Sequence, residues 1–145
     1  MIVQGIGDPA VNLRVQELCR RALPMLGDDV APDLCARVEA QLACALTETG
    51  SLDKAARWAR SAFARAAASA DPDAELDAIR ARASLESVPG RDAEMFELGG
   101  RAIELAGPAG RPLAELWGHV WRSDSAIHMG DLGTVLEVGL GVPLR

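Results

Sequence analysis

The stretch that decides the fold is residues 31–66, APDLCARVEAQLACALTETGSLDKAARWARSAFARA. A proline stands at its start, where the fixed φ and missing N–H suit the first turn of a helix. Apolar side chains then recur every four residues and predict one helix face, formed by Leu34, Val38, Leu42 and Leu46. Gly50 is placed to end that helix, and a second helix follows with a small-residue face of Ala55, Ala59 and Ala62. The stretch therefore predicts two antiparallel helices joined by a tight turn.

The same pattern returns twice, each time after 40 residues. The helix-opening prolines are Pro32, Pro72 and Pro112, and the helix-closing glycines are Gly50, Gly90 and Gly130. This period predicts one repeat at 32–70, a second at 72–107 and an incomplete third at 112–140. Because one helix pair cannot cover its own apolar faces, the repeats are expected to stack as an α-solenoid. The predicted fold class is all-α.

Composition and charge narrow the class of protein. The chain has 145 residues, of which 49% are hydrophobic, so it can bury the core of a single domain over 1–145. Its net charge of −6 argues against direct nucleic-acid binding, because phosphate contacts need a basic surface. No run has the pattern of a signal peptide or a membrane span, and the three cysteines lack disulfide spacing. These features predict a cytoplasmic protein without a membrane partner.

The run from Leu42 to Ala62 resembles a tetratricopeptide (TPR) repeat. The matching positions, beyond the alanines of the second helix, are Leu42, Ala43, Leu46, Gly50 and Leu52. Glu39 stands where TPR repeats have an early aromatic residue, and the period of 40 exceeds the usual length. Long, alanine-rich repeats of this kind are similar to those of large bacterial ATP-binding regulators of the LuxR type, or of SARP-type activators. The resemblance implies a non-catalytic interaction or effector-binding module from a bacterial transcriptional regulator.

The resemblance also implies where a partner would bind. In TPR-like solenoids the first helix of each pair lines the concave face. Carried over by register, the groove residues are Arg37, Asp77, Arg80, Trp117 and Asp124. Charged residues with an aromatic suit a protein or peptide segment, or a small polar effector. The competing interpretation is that these positions serve only the packing of neighbouring repeats.

Both ends of the chain interrupt the repeat. Residues 8–26 predict a helix without its partner, with Pro24 disturbing the last turn, and the third repeat lacks a polar cap at its end. The chain is therefore predicted to be a fragment of a longer protein. Two alternatives stay open at this point: self-association through the uncapped ends, and a truncated piece with no independent role.

A catalytic alternative rests on few residues. Asp124 and His128 share a helix face at i, i+4, which predicts a surface contact, and such a pair can orient a general base. A small helical enzyme or redox protein would use this pair or a cysteine. The sequence has no C-x-x-C, H-E-x-x-H, G-x-S-x-G or Walker-type motif, so no metal and no cofactor are predicted.

One stretch imitates a dinucleotide loop. Gly5, Gly7 and Ala10 have the spacing G-x-G-x-x-A. A dinucleotide loop follows a strand, and its backbone N–H groups face the pyrophosphate. Pro9 removes one such donor, and no strand pattern surrounds the motif. The simpler interpretation is a helix start, with Asp8 as the N-cap and proline in the first turn.

Overall fold

The computed structural model of the protein describes residues 8–27, 31–85, 90–131, 133 and 135–136. Within these ranges all regular secondary structure is helical, which confirms the all-α class. The six helices are α1 (Pro9–Leu26), α2 (Pro32–Glu48), α3 (Leu52–Ser69), α4 (Pro72–Ala83), α5 (Asp92–Ala106) and α6 (Pro112–Met129).

The prolines of the repeat mark helix starts, as predicted. Helices α2, α4 and α6 each begin at one of them: Pro32, Pro72 and Pro112. Asp71 caps α4, because its carboxylate accepts a hydrogen bond of 2.7 Å from the backbone N–H of Ala74. The predicted cap at Asp8 is also confirmed, since its side chain accepts from the N–H of Ala10 at 2.9 Å.

The predicted helix end at a glycine agrees with the structure after α6 but not after α4. After α6, Gly130 takes the left-handed conformation with φ of 76°, which costs glycine no steric penalty. Helix α4 instead ends at Ala83, well before the predicted end near Gly90. At this point the Ser84 hydroxyl donates to the carbonyl of Ala81 at 2.8 Å. Serine hydroxyls that bond nearby backbone carbonyls in this way compete with helical hydrogen bonds.

The first compact unit spans Met1–Leu85 and is built around α2. Helix α2 packs against α1, α3 and α4, and α3 also packs against α4. The core is rich in alanine, and its largest fully buried side chains are Leu42, Leu46 and Ile79. Because alanine is small, these helices approach closely, and the side chains at their seams lie near the backbone of the neighbouring helix.

The second compact unit spans Glu86–Arg145, and its described helices α5 and α6 pack against each other. They cross at two glycines, Gly99 and Gly118, where a Cβ on either one would lie 2.7 Å from the backbone oxygen of the other. The predicted repeat at 72–107 thus has α4 in one unit and α5 in the other. A single domain over 1–145 stays a prediction.

Helix α1 continues through Pro24 and ends two residues later at Leu26. Gly5 and Gly7 of the apparent dinucleotide motif lie outside the described residues. Beyond Asp131, only residues 133, 135 and 136 of the predicted third repeat are described. None of the helices in the described ranges combines the length and the apolar character that crossing a bilayer requires.

Candidate functional site

Three of the five predicted groove residues meet between α2 and α4. The Nε atom of Arg37 lies 3.0 Å from Oδ2 of Asp77, and their side chains are 46% and 29% exposed. The hydrogen bond to Asp77 raises the pKa of the Arg37 guanidinium, so this ion pair is maintained across the physiological range. Because both partners reach solvent, the pair lies on an accessible face of the first unit.

Arg80 extends this polar line. Its Nη2 donates to Oε1 of Gln41 at 2.8 Å and lies 3.8 Å from Oδ1 of Asp77. Gln41 was not among the predicted residues. The period aligns Arg80 with Ala40, which is fully buried, and the actual partner is the next residue along α2. A spacing rule does not determine the side-chain direction that makes this difference.

The line continues inward with three smaller side chains. The hydroxyl oxygens of Thr47 and Ser84 lie 3.4 Å apart, and Ser84 also lies beside the Cys44 thiol. Burial raises the pKa of that thiol, which keeps it protonated and weakly nucleophilic. We call this set the α2–α4 seam; it comprises Arg37, Gln41, Cys44, Thr47, Asp77, Arg80 and Ser84.

The other two predicted residues, Trp117 and Asp124, lie on α6 in the second unit. Trp117 stacks on Trp121, with ring centroids 6.2 Å apart and planes inclined by 25°. Asp124 lines a small cleft of about 60 Å³ between the first turn of α5 and the second half of α6. We call it the α5–α6 cleft; its lining residues are Arg91, Asp92, Met95, Trp121, Asp124, Ser125 and His128.

His128 has a different carboxylate partner from the predicted one. Its Nδ1 lies 3.0 Å from Oδ1 of Asp92 on α5, whereas the sequence predicted a contact with Asp124, one turn earlier on α6. An aspartate that holds Nδ1 leaves Nε2 as the other ring nitrogen available for a ligand or a proton. Asp92 lies 36 residues from His128, and no local spacing marks such a pair.

A buried ion pair stands where TPR repeats have an aromatic residue. Glu39 is 2% exposed, and its Oε1 accepts a hydrogen bond of 2.9 Å from Nε of Arg65 on α3. The pair joins α2 and α3 across the core. Because the Glu39 carboxylate is buried, the contact serves the packing of α2 on α3 and not ligand binding.

The remaining groups with metal or redox chemistry are dispersed. Cys19 and Cys35 are buried thiols, and burial raises the pKa of Cys19. In the described part of the chain, His, Cys, Asp and Glu side chains do not gather in threes as a metal ion would require.

Comparison of the chain with protein-family models, with curated proteins and with solved structures gave no match.

Proposed function

We propose that the chain is a non-catalytic helical-repeat module that binds a peptide segment or a small polar effector along the α2–α4 seam. In this proposal α2 and α3 are the two helices of one TPR-like repeat, and α4 is the first helix of the next. The same proposal places the module in a bacterial transcriptional regulator in the cytoplasm.

The observation that carries the proposal is the pairing of side chains one period apart. Arg37 and Asp77 are 40 residues apart and form an ion pair; Cys44 and Ser84 are also 40 apart and lie beside each other. Such pairs are expected where the first helices of successive repeats lie side by side in register. The packing of α4 on both α2 and α3 supports the same arrangement.

The exposed ion pair suits exchange with a partner. Ion pairs between solvent-exposed groups contribute only about 0–1 kcal/mol to stability. A carboxylate of a bound peptide therefore replaces Asp77 on Arg37 at little cost, and it gains a second contact from Arg80. Guanidinium groups favour this exchange because their planar N–H groups match a carboxylate at two points. We accordingly expect the favoured peptides to carry acidic side chains.

The test uses a defined probe. A phage-displayed library of random peptides is selected on the immobilised chain, and an enriched peptide is labelled for fluorescence anisotropy. Arg37→Ala and Arg80→Ala are expected to weaken binding by about tenfold together, which corresponds to roughly 1.4 kcal/mol. The matched control is Arg60→Ala, an exposed arginine on α3 away from the seam, which should leave binding unchanged.

Three outcomes would overturn this proposal. The library yields no enriched peptide; the enriched peptide binds both seam variants as tightly as the original chain; or Arg60→Ala weakens binding equally. Circular dichroism of each variant shows whether the helices remain, so a folding defect is separated from a loss of contacts.

The surroundings of the cysteines and of His128 give less support to the catalytic alternative. Cys19 and Cys35 are buried and Cys44 is half-buried. Burial raises the pKa of Cys19 and Cys44, which disfavours the thiolate that nucleophilic or redox chemistry needs. His128 is bound by Asp92, and its side chain is 68% exposed, so water competes for any transition state formed beside it. A general-base reaction at this histidine would lack the desolvated surroundings on which such catalysis depends.

A further inference from the structure

The α5–α6 cleft has the size of a small polar group. Its volume of about 60 Å³ exceeds the roughly 10–15 Å³ that a single water molecule requires. One wall is aromatic, because the buried Trp121 ring lines the cleft and is held by its stack on Trp117. Met95, which is also buried, extends the apolar part of the wall.

The charges around the cleft favour a cation. Asp92 and Asp124 contribute two carboxylates to the lining, against one guanidinium from Arg91. That guanidinium is already paired, because its Nε donates to Oε2 of Glu94 at 2.9 Å. No ion pair joins Asp124 to another residue in the described ranges, so its charge is available to a ligand.

The cleft also offers neutral hydrogen-bond acceptors. When Asp92 accepts from Nδ1–H of His128, the tautomer of the neutral imidazole is fixed and Nε2 carries a lone pair. Ser125, which is 4% exposed, adds a hydroxyl oxygen to the lining. With the Asp124 carboxylate, these groups provide three acceptors, the number of N–H donors on a primary ammonium group.

We propose that the α5–α6 cleft binds a primary ammonium group, such as the end of a lysine side chain or of a small amine. The aromatic wall contributes through its attraction for cations and its contact with the adjoining methylene chain. This site lies in the second unit and does not depend on the proposed function of the α2–α4 seam.

Tryptophan indole signals provide the measurement. The chain has three tryptophans, and each indole N–H group contributes one peak to a ¹H–¹⁵N correlation spectrum. Trp121 reports on the cleft, and Trp58, on α3, is the internal control. n-Butylammonium chloride and Nα-acetyl-lysine methylamide are titrated at about pH 8, above the range in which histidine side chains titrate. Sodium chloride at equal ionic strength controls for screening, and n-butanol for the apolar chain.

We expect both ammonium probes to shift the Trp121 peak along a saturating curve, while sodium chloride and n-butanol do not. Asp124→Asn keeps the shape of the side chain and removes its charge, and it is expected to raise the dissociation constant by about fivefold. Asp53→Asn, an exposed aspartate in the first turn of α3, is the matched control and should change nothing.

A Trp121 shift that is linear, equal to that of sodium chloride, or unaffected by Asp124→Asn would overturn the proposal. If butylammonium alone saturates, the ligand is a free amine and not a lysine side chain.

Discussion

The glycine crossing of α5 and α6 gives the sharpest prediction. A Cβ added at Gly99 would lie 2.7 Å from the backbone oxygen of Gly118, and one added at Gly118 would lie 2.7 Å from the oxygen of Gly99. Backbone atoms do not move aside as a flexible side chain does, so Gly99→Ala must push the two helices apart. The adjacent Gly100 has no atom within 4 Å of its added Cβ, which makes Gly100→Ala the matched control.

The magnitudes follow from two opposing effects. Alanine favours a helix interior over glycine by about 1 kcal/mol, and this gain applies to both positions. Overpacking a close contact costs about 1–3 kcal/mol, and the backbone clash at Gly99 places its cost at the upper end of that range. We expect Gly99→Ala to destabilise the second unit by about 2 kcal/mol and Gly100→Ala to stabilise it by about 1 kcal/mol.

The assay is urea unfolding followed by tryptophan fluorescence in a Trp58→Phe background, where the signal comes from the two α6 tryptophans, Trp117 and Trp121. The free energies of unfolding of the two single variants should differ by about 3 kcal/mol. Adding Gly118→Ala to Gly99→Ala should cost less than the sum, because the helices are already separated. Equal stabilisation by Gly99→Ala and Gly100→Ala would refute the close crossing.

The first unit offers further predictions, each checked by chemical unfolding. Arg65→Ala leaves the buried Glu39 carboxylate without its guanidinium and should cost about 3 kcal/mol. Gln16→Leu removes the hydrogen bonds that its side-chain amide donates to the Ala45 carbonyl and the Thr49 hydroxyl, and it should cost about 1–2 kcal/mol; a neutral result would show that α1 is held by apolar contacts alone. Asp71→Ala removes the cap of α4 at a cost of about 1 kcal/mol. Because burial raises the pKa of Cys44, its contribution to stability is complete below the pKa of the unfolded thiol, about 8.5. It is lost as the pH rises towards the folded value. Cys44→Ala should therefore flatten the alkaline decline.

Sequence patterns predicted where the helices begin better than which residues contact each other. Proline marks four helix starts because its backbone restriction is local, and the capping role of Asp71 is equally local. The end of α4 at Ala83 was not predicted, because the repeat pattern placed the end of this helix at Gly90. Small residues at Gly99 and Gly118 were visible in the sequence, but nothing in a spacing shows which backbone each one meets.

The contacts of the candidate site were also predicted only in part. A fixed period pairs positions, and Arg37 with Asp77 follows directly from it. The period fails where geometry shifts a contact by one residue, as for Gln41 with Arg80. The period does not predict the contact between His128 on α6 and Asp92 on α5, because these residues are 36 positions apart and not 40.

The two proposed sites differ in what binding must displace. In the α2–α4 seam the guanidinium of Arg37 already has a carboxylate partner, so an acidic peptide binds by exchange. Removing Asp77 by Asp77→Ala should then strengthen binding of an acidic peptide, because no internal carboxylate competes for Arg37 or Arg80. In the α5–α6 cleft a ligand adds a contact to Asp124 and displaces only water, so Asp124→Asn can only weaken binding. Opposite effects from the loss of one aspartate in each site would separate exchange from addition, and tighter binding after Asp124→Asn would contradict the cation site.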